Sequence, residues 1–386
     1  MESKRICFIS HNATRTGAPI VLLNFIRWIK ANHPQQYIEV LLLEDGELRI
    51  EFEHVCKVKL LPQRMNYSLI KKMLIKLTGK DFIRKNFLKK YEKFDLLFFN
   101  TIASFKIIPF IKKSKTATMV AWLHEQPLSI YSWYKDYFTP GNFIFFDKVL
   151  CVSTQTIEHL HTLRWIDLNK VFLAHPFIDV QYNVNKNKVA KEVTKSGFVV
   201  GGCGLQDWRK GPDIFLQIAN NIYKTYPELD IRFEWVGAES SMTLGLLYEQ
   251  EKFGLSNESI FIGSRQDMKE WFNSIDIFLL TSREDPFPLV VLEAIAVGKP
   301  VICFEGVGDI EKIVDSLPAN VIPYNRIDLI IDRIMYYRTN CVLQHSEKKQ
   351  FKLILEKYNL DKGATKLWRE LYNLLTPIKK TLKSSS

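Results

Sequence analysis

Two acids stand out in the stretch TSREDPFPLVVLEAIAVGKPV, residues 281–301. Glu293 is the single charge in an apolar run, among Val290, Val291, Leu292, Ala294 and Ile295. A carboxylate with such neighbours is costly to bury unless something engages it. Asp285 precedes it on a polar, proline-rich turn. The two can hold neighbouring parts of one hydroxylated ligand. The helix start expected between them offers unpaired N–H groups and a positive dipole end, which suit a phosphate. Two plainer roles fit the same spacing. Glu293 can pair with a nearby Arg or Lys, and Asp285 or Ser282 can cap the helix.

Three further sets of residues carry possible chemistry. Arg209 and Lys210, in GLQDWRKG at 204–211, are placed to clamp a diphosphate whose charge grows as it leaves. They fit equally as two solvated surface cations. His124 and Glu125 follow the apolar run Thr118 to Leu123, where the strand ends. An imidazole there can donate a hydrogen bond or exchange a proton, although a lone histidine is more often structural. Near the start of the chain, RICFIS is followed by a loop, His11 to Thr16, and then by Gly17. A glycine at such a turn lets backbone N–H groups approach a ligand closely, or simply makes the turn tight.

Positioning these residues requires strand–turn–helix–strand units. Ile275 to Leu280, IDIFLL, suits a buried strand, and Ser282 to Pro288 a turn. Leu289 to Val297 suits a helix closed by Gly298 and Pro300, and Val301 to Phe304 another strand. The same alternation appears at Arg5–Ser10, Tyr37–Leu43, Phe94–Asn100, Thr118–Leu123, Asp147–Val152, Phe198–Cys203 and Ile231–Val236. Gly237 and Gly263 follow strand-like runs in this way. Such a pattern is α/β with parallel sheets, and ligands in such sheets bind beyond the carboxyl ends of the strands.

With 386 residues, the chain is long enough for two domains with full cores. Hydrophobic residues make up 47% and charged residues 25%, as in ordinary globular proteins. The net charge of +11 suggests an anionic partner: a nucleotide, a lipid surface or a nucleic acid. None of the six cysteines lies in a C-x-x-C pair, so they read as small buried residues in a reducing compartment. No signal peptide and no bilayer-length apolar run is visible. The expectation is a cytoplasmic protein, on the cytosolic face of a membrane if it is attached to one. Residues 69–93 are the most basic segment, with lysines and arginines opposed only by Asp81 and Glu92. Their apolar residues recur at helical spacing. That fits an amphipathic pair on an anionic membrane, or an ordinary surface pair packed on the core.

The span from Asp285 to Glu293, with Ser282, Phe287, Ala294, Gly298, Lys299 and Pro300, resembles the E-x7-E signature of family 4 (group 1) retaining glycosyltransferases. The first acid is Asp285 where Glu is usual. WLHE at 122–125 is similar to the motif of that family's active-site histidine, and Lys210, Gly211 and Asp213 also match. Leu205 stands where many members carry a phosphate-binding Arg, a role for which Arg209 is then the candidate. The resemblance covers nearly the whole chain, more strongly over 198–315 than over 1–180.

The resemblance implies a GT-B fold: two Rossmann-like domains with parallel sheets facing across a cleft. The implied organisation is an N-terminal, acceptor-side domain over 1–180, a linker over 181–196 and a donor domain over 197–360. A C-terminal helix over 361–378 returns to the first domain, and 379–386 form a disordered tail. The implied reaction moves a sugar from a nucleotide-sugar donor to a hydroxyl of a carbohydrate or lipid-linked acceptor, with retention of configuration and no metal or other cofactor. In that scheme His124, Arg209, Lys210 and Asp285 are catalytic. Gly17, Gly204, Arg209, Lys210, Gly237, Gly263, Asp285, Phe287, Leu289, Val290 and Glu293 bind the donor. His11, Asn12, Thr16 and Glu125 lie on the acceptor side. A sugar epimerase or phosphorylase of the same fold remains open, as does a basic nucleic-acid binder. Against the last, the basic residues cluster without a nucleic-acid-binding motif, so no nucleic-acid partner is expected.

Overall fold

The computed structural model describes residues 4–62, 81–111, 117–179, 197–314, 320–340 and 345–376. The chain divides into two compact units: Met1–Phe177 with Leu360–Ser386, and Ile178–Asn359. The expected linker, 181–196, and tail, 379–386, lie outside the described residues, as do Cys341 and the first part of the basic segment.

The first unit is built on seven parallel strands: β1 (Arg5–Ser10), β2 (Tyr37–Leu42), β3 (Lys57–Leu60), β4 (Leu96–Asn100), β5 (Thr118–Leu123), β6 (Lys148–Cys151) and β7 (Val171–Leu173). Their order in the sheet is β3-β2-β1-β4-β5-β6-β7. The central strands are apolar along their whole length because helices cover both faces. Alternate residues separate the two layers. Cys7, Ile9, Leu97 and Phe99 enter one core cluster with Phe105 and Phe146. Phe8 points to the other face, where its ring meets Phe98 at 5.2 Å and Phe25 of the helix Gly17–Asn32 at 6.0 Å.

The helix Leu360–Leu375 belongs to this unit. It buries Ala364, Leu367, Trp368, Leu371 and Leu375, whereas Tyr372 is exposed. Trp28 Nε1 donates to Asp361 at 3.0 Å, and Trp368 stacks on His33 at 4.9 Å. Lys148, at the start of β6, pairs with Glu370. Gly363 is required by space: a Cβ there would lie 2.4 Å from the Phe177 ring.

The second unit has five parallel strands: β8 (Phe198–Cys203), β9 (Ile231–Val236), β10 (Ile277–Leu280), β11 (Val301–Phe304) and β12 (Val321–Ile322), in the order β12-β11-β10-β8-β9. One face packs Phe278, Leu280, Val291, Leu292 and Ile295, and the other Ile214, Phe215, Ile218, Ile277 and Leu279. The helix after β10 runs Leu289–Ala296, with Gly298 beyond its end at φ 78°, the left-handed position a glycine fills without strain.

The described part of the basic segment is a helix, Asp81–Leu88, and a 3₁₀ turn, Lys89–Lys93. Leu88 and Tyr91 are buried in the first unit's core, and Arg84, Lys85, Lys89 and Lys93 are exposed. The apolar side of the described part thus packs on the core, and its cations face outward. No helix among the described residues is long and apolar enough to cross a membrane.

Candidate functional site

In each unit the order of the strands reverses direction once. Chain progress leads from β1 to β2 and β3 on one side, and then to β4 on the other. The second unit does the same from β8 to β9 and then to β10. Loops leaving the carboxyl ends of the two strands at such a point diverge and leave a crevice. His11, Asn12, Thr16, Gly204, Arg209, Lys210, Asp285 and Phe287 lie on those loops.

In the second unit the loop after β8 carries Gly204 to Gly211 and the loop after β10 carries Thr281 to Pro288. The two are stitched together. Lys210 Nζ donates to Asp285 Oδ2, and Arg209 Nη1 donates to the Glu284 carbonyl at 2.9 Å. Arg283 N–H donates to the Arg209 carbonyl at 2.8 Å, and Thr281 Oγ1 to the Gly211 carbonyl at 2.8 Å. Both members of the Lys210–Asp285 pair are largely withdrawn from water. Sequence reasoning gave each a separate ligand atom; the structure joins them. Arg209 keeps its Nε buried without a partner among the described residues, as does the Ser282 hydroxyl. Leu205 is exposed.

Arg283 was missed in the sequence. It makes a bidentate pair with Asp213, at 2.9 and 2.6 Å, donates to the Trp208 carbonyl at 2.6 Å, and lies 4.5 Å from the Trp208 ring centre. A planar fork holding a carboxylate and a carbonyl fixes the loop that carries Arg209 and Lys210. The only sequence signal was its place next to Glu284 on the turn.

Glu293 sits on the first turns of the helix Leu289–Ala296, half-buried, and no cation or hydrogen-bond donor among the described residues engages its carboxylate. Burial pushes its pKa up to about 7. The Cys203 thiol, at the end of β8, is pushed up to about 12 by burial first and then by the charge of Glu293, while Lys210 lowers it and Asp285 raises it. All three charged groups therefore lie around the carboxyl end of β8. The helix begins at Leu289 and Val290 with no side-chain cap, so neither Asp285 nor Ser282 takes that role. Phe287 turns its ring into the core against Tyr358, 5.2 Å away, which leaves its backbone as the part available to a ligand.

Gly204, Gly237 and Gly263 meet at one place. A Cβ on Gly237 would lie 1.8 Å from the Gly204 carbonyl, and Gly237 N–H donates to the Gly263 carbonyl at 3.0 Å. Gly308 lets a chain segment run under Asp285: its Cβ would fall 2.0 Å from the Asp285 carbonyl. Asp285 N–H in turn donates to the Val307 carbonyl at 2.8 Å.

In the first unit the loops after β1, β4 and β5 converge. His124 Nε2 lies 3.0 Å from Asn100 Oδ1, and Asn100 Nδ2 donates to the Ala18 carbonyl at 3.2 Å. His11 Nδ1 lies 3.0 Å from Thr101 Oγ1. Glu125 is buried, and its carboxylate accepts from the backbone N–H of Ile102 at 3.0 Å and of His124 at 2.9 Å, so it ties the ends of β4 and β5 together. Burial pushes the Glu125 pKa up to about 8, against the pull of those two donors. Burial also pushes His124 down to about 3 and His11 down to about 4, with His11 lowering His124 further and Lys106 lowering His11. Both imidazoles are therefore neutral near pH 7. Glu125 braces the loop, each of its carboxyl oxygens accepting one backbone N–H. Asn12 accepts from Thr14 N–H at 3.3 Å, Thr16 precedes the helix without capping it through its side chain, and Gly17 is the helix's first residue. On the neighbouring loop Gly46 packs tightly: its Cβ would lie 2.3 Å from the Ala13 backbone.

Asn100 and Thr101 were also missed, because in FDLLFFNT they read as the end of a strand. Thr101 has φ 78°, a conformation that costs a β-branched residue about 1–3 kcal/mol. No group of three or more His, Cys, Asp or Glu that could hold a metal occurs among the described residues.

Residues 197–337 match the family model described as glycosyl transferases group 1. The chain is 29% identical to the alpha-galactosylglucosyldiacylglycerol synthase of Streptococcus pneumoniae, over 45% of each chain. It is 24% identical to the O-antigen biosynthesis glycosyltransferase WclY of Escherichia coli, over 60% of this chain and 63% of that one. The chain thus spans less than two thirds of the length of these curated relatives. Among solved structures, Anabaena HepE in complex with UDP and glucose superposes with a TM-score of 0.76 at 16% identity, covering 96% of this chain and 100% of that one. The lipopolysaccharide outer core galactosyltransferase WaaB, in its apo form, superposes with a TM-score of 0.67 at 15% identity, over 96% and 99%. At such identities the likeness concerns the fold, which is α/β of the GT-B type.

Proposed function

We propose that this chain, whose residues 197–337 match the family model described as glycosyl transferases group 1, moves a sugar from a nucleotide-sugar donor to an acceptor hydroxyl, in the assembly of a polysaccharide or glycolipid. The observation that carries this reading is the joined pair Lys210–Asp285, beside the unpartnered Glu293 and an uncapped helix start, within the matched residues. The cations face the donor's diphosphate, with the helix N–H groups of Leu289 and Val290. The acids hold the sugar hydroxyls, and backbone at Gly204, Gly237 and Gly263 takes the nucleoside. HepE was solved with UDP, with glucose and with UDP-glucose, which makes UDP-hexoses the first donors to try.

In this reading no metal is used. Charge on the leaving diphosphate is neutralised by Arg209 and Lys210, and positioning supplies the remaining rate. The acceptor oxygen bonds to the anomeric carbon on the face from which the diphosphate leaves; the carbon–oxygen bond to phosphate breaks, the hydroxyl's proton passes to the departing phosphate oxygen, and the configuration of the sugar is kept. His124 contacts a substrate sugar; His11, Asn12, Thr16 and the loop braced by Glu125 border the acceptor. The protein works in the cytoplasm, with exposed Arg84, Lys85, Lys89 and Lys93 on an anionic membrane that presents a lipid-linked acceptor. The test is a melting screen across sugar nucleotides, followed by transfer assays with the stabilising donor. A ligand that binds only the native state raises the midpoint. A rise of several degrees with one donor, lost in Lys210→Ala, is expected. No shift with any sugar nucleotide rejects the proposal.

A further inference from the structure

We infer that Asn100 is a positioning residue that holds the His124 ring as its Nε2–H tautomer, so that Nδ1 is presented to a substrate hydroxyl as a hydrogen-bond acceptor. The inference rests on the proposed glycosyl transfer only for the identity of that hydroxyl.

The argument starts from Ala18, whose carbonyl oxygen can only accept. It lies 3.2 Å from one end of the Asn100 side chain, which must therefore be the NH₂ group. The other end, the amide oxygen, then faces His124 Nε2 at 3.0 Å and can only accept. A neutral imidazole must place its proton on that nitrogen to make the bond. The remaining nitrogen, Nδ1, carries a lone pair, and no described residue hydrogen-bonds to it. One amide thus transmits a constraint from the first turn of the helix Gly17–Asn32 to the ring at the end of β5.

The surroundings keep the ring uncharged. His11 is the charged or titratable group of the neighbouring loop that acts on it, and its effect opposes protonation. Glu125 directs its carboxylate to the backbone N–H groups of Ile102 and His124, not to the ring. Lys106 and Glu44, paired with each other at 2.5 Å, act on His11. The strained Thr101 follows Asn100 directly and is held by its N–H bond to the Trp122 carbonyl, 2.9 Å, and by His11.

The test is nitrogen NMR of the full-length, ¹⁵N-labelled protein, with His124→Gln used to identify the His124 signals. At pH 7 the inference expects a protonated Nε2 and an unprotonated Nδ1. A protonated Nδ1 overturns it, whatever the enzyme does. The second arm is Asn100→Asp, which sets an anion beside Nε2. His124 should then titrate more than one pH unit higher, and kcat/KM should acquire a fall on the acid side at that new midpoint. An unmoved His124 titration in a folded Asn100→Asp protein also overturns the inference. If Asn100→Asp does not fold, the wild-type tautomer decides. Absence of transfer with every sugar nucleotide, alongside an Nε2–H ring, rejects the proposed function and leaves the tautomer assignment standing.

Discussion

Lys210 and Asp285 hold each other: the ammonium from the loop after β8 donates to the carboxylate from the loop after β10, with the side chains only 15% and 8% exposed. The cation that the proposed function gives to a diphosphate and the acid that it gives to a sugar therefore share one joint. Removing either partner leaves the other charge buried alone.

Lys210→Ala is expected to abolish transfer and to cost about 3–5 kcal/mol of stability, the usual penalty for stranding a buried charge. The double change Lys210→Met with Asp285→Leu should recover most of that stability and none of the activity. Equilibrium denaturation of the three proteins separates the two effects. A double variant as unstable as the single one would show that the pair is not the source of the loss.

For Glu293→Gln the expected result is a folded, inactive protein with an altered pH profile of stability. The folded pKa of Glu293 is raised to about 7, so its contribution is full below the unfolded value and is lost as pH rises through 7. Gln carries no such dependence. Relative to wild type, the variant should gain stability between pH 5 and pH 8, read by urea denaturation at both. Equal differences at the two pH values would mean that the carboxylate is engaged and ionised throughout.

Glu125→Gln sets an amide NH₂ against a backbone N–H. One of the two bonds to Ile102 and His124 should be lost, at about 1–3 kcal/mol, with a further fall in kcat as the His124 loop shifts. Stability of the wild type should itself fall as pH rises through 8, because the raised pKa of Glu125 makes its contribution full below the unfolded value. A variant with wild-type melting and turnover would remove the brace.

Gly308→Ala tests placement of Asp285 from beneath. The added Cβ meets the Asp285 carbonyl at 2.0 Å, so the loop must move, and transfer should fall at least about tenfold. Gly245→Ala, on the helix Thr243–Lys252, meets nothing within 4 Å and should instead add roughly 0.5–1 kcal/mol of stability. Kinetics and melting of the two side by side discriminate a local collision from a general intolerance of glycine replacement.

The longer strands were legible because apolar runs bounded by glycine and polar turns have few other solutions. The helix Leu289–Ala296 was legible for the same reason, through Gly298 and Pro300. The short edge strands β3, β7 and β12 were not: Lys57–Leu60 alternates charge with apolar residues and reads as a loop end. At the site, composition revealed the groups that could react but not what holds them. Glu293 and Lys210 were visible as charges out of place. Asn100, Thr101 and Arg283 act through partners 24 to 90 positions away, and nothing in their immediate neighbours announces those partners.

The helix Leu360–Leu375 finishes a unit begun by the first strand, with the whole second unit synthesised in between. Trp28 and the residues around it must wait for that partner. At about 5–20 residues per second, the delay on the ribosome is of the order of ten seconds or more. During that interval a nascent chain presents an apolar strip to chaperones and to other nascent chains. Shortened products ending before Leu360 should therefore be recovered as aggregates, even though every reactive group named above is present in them.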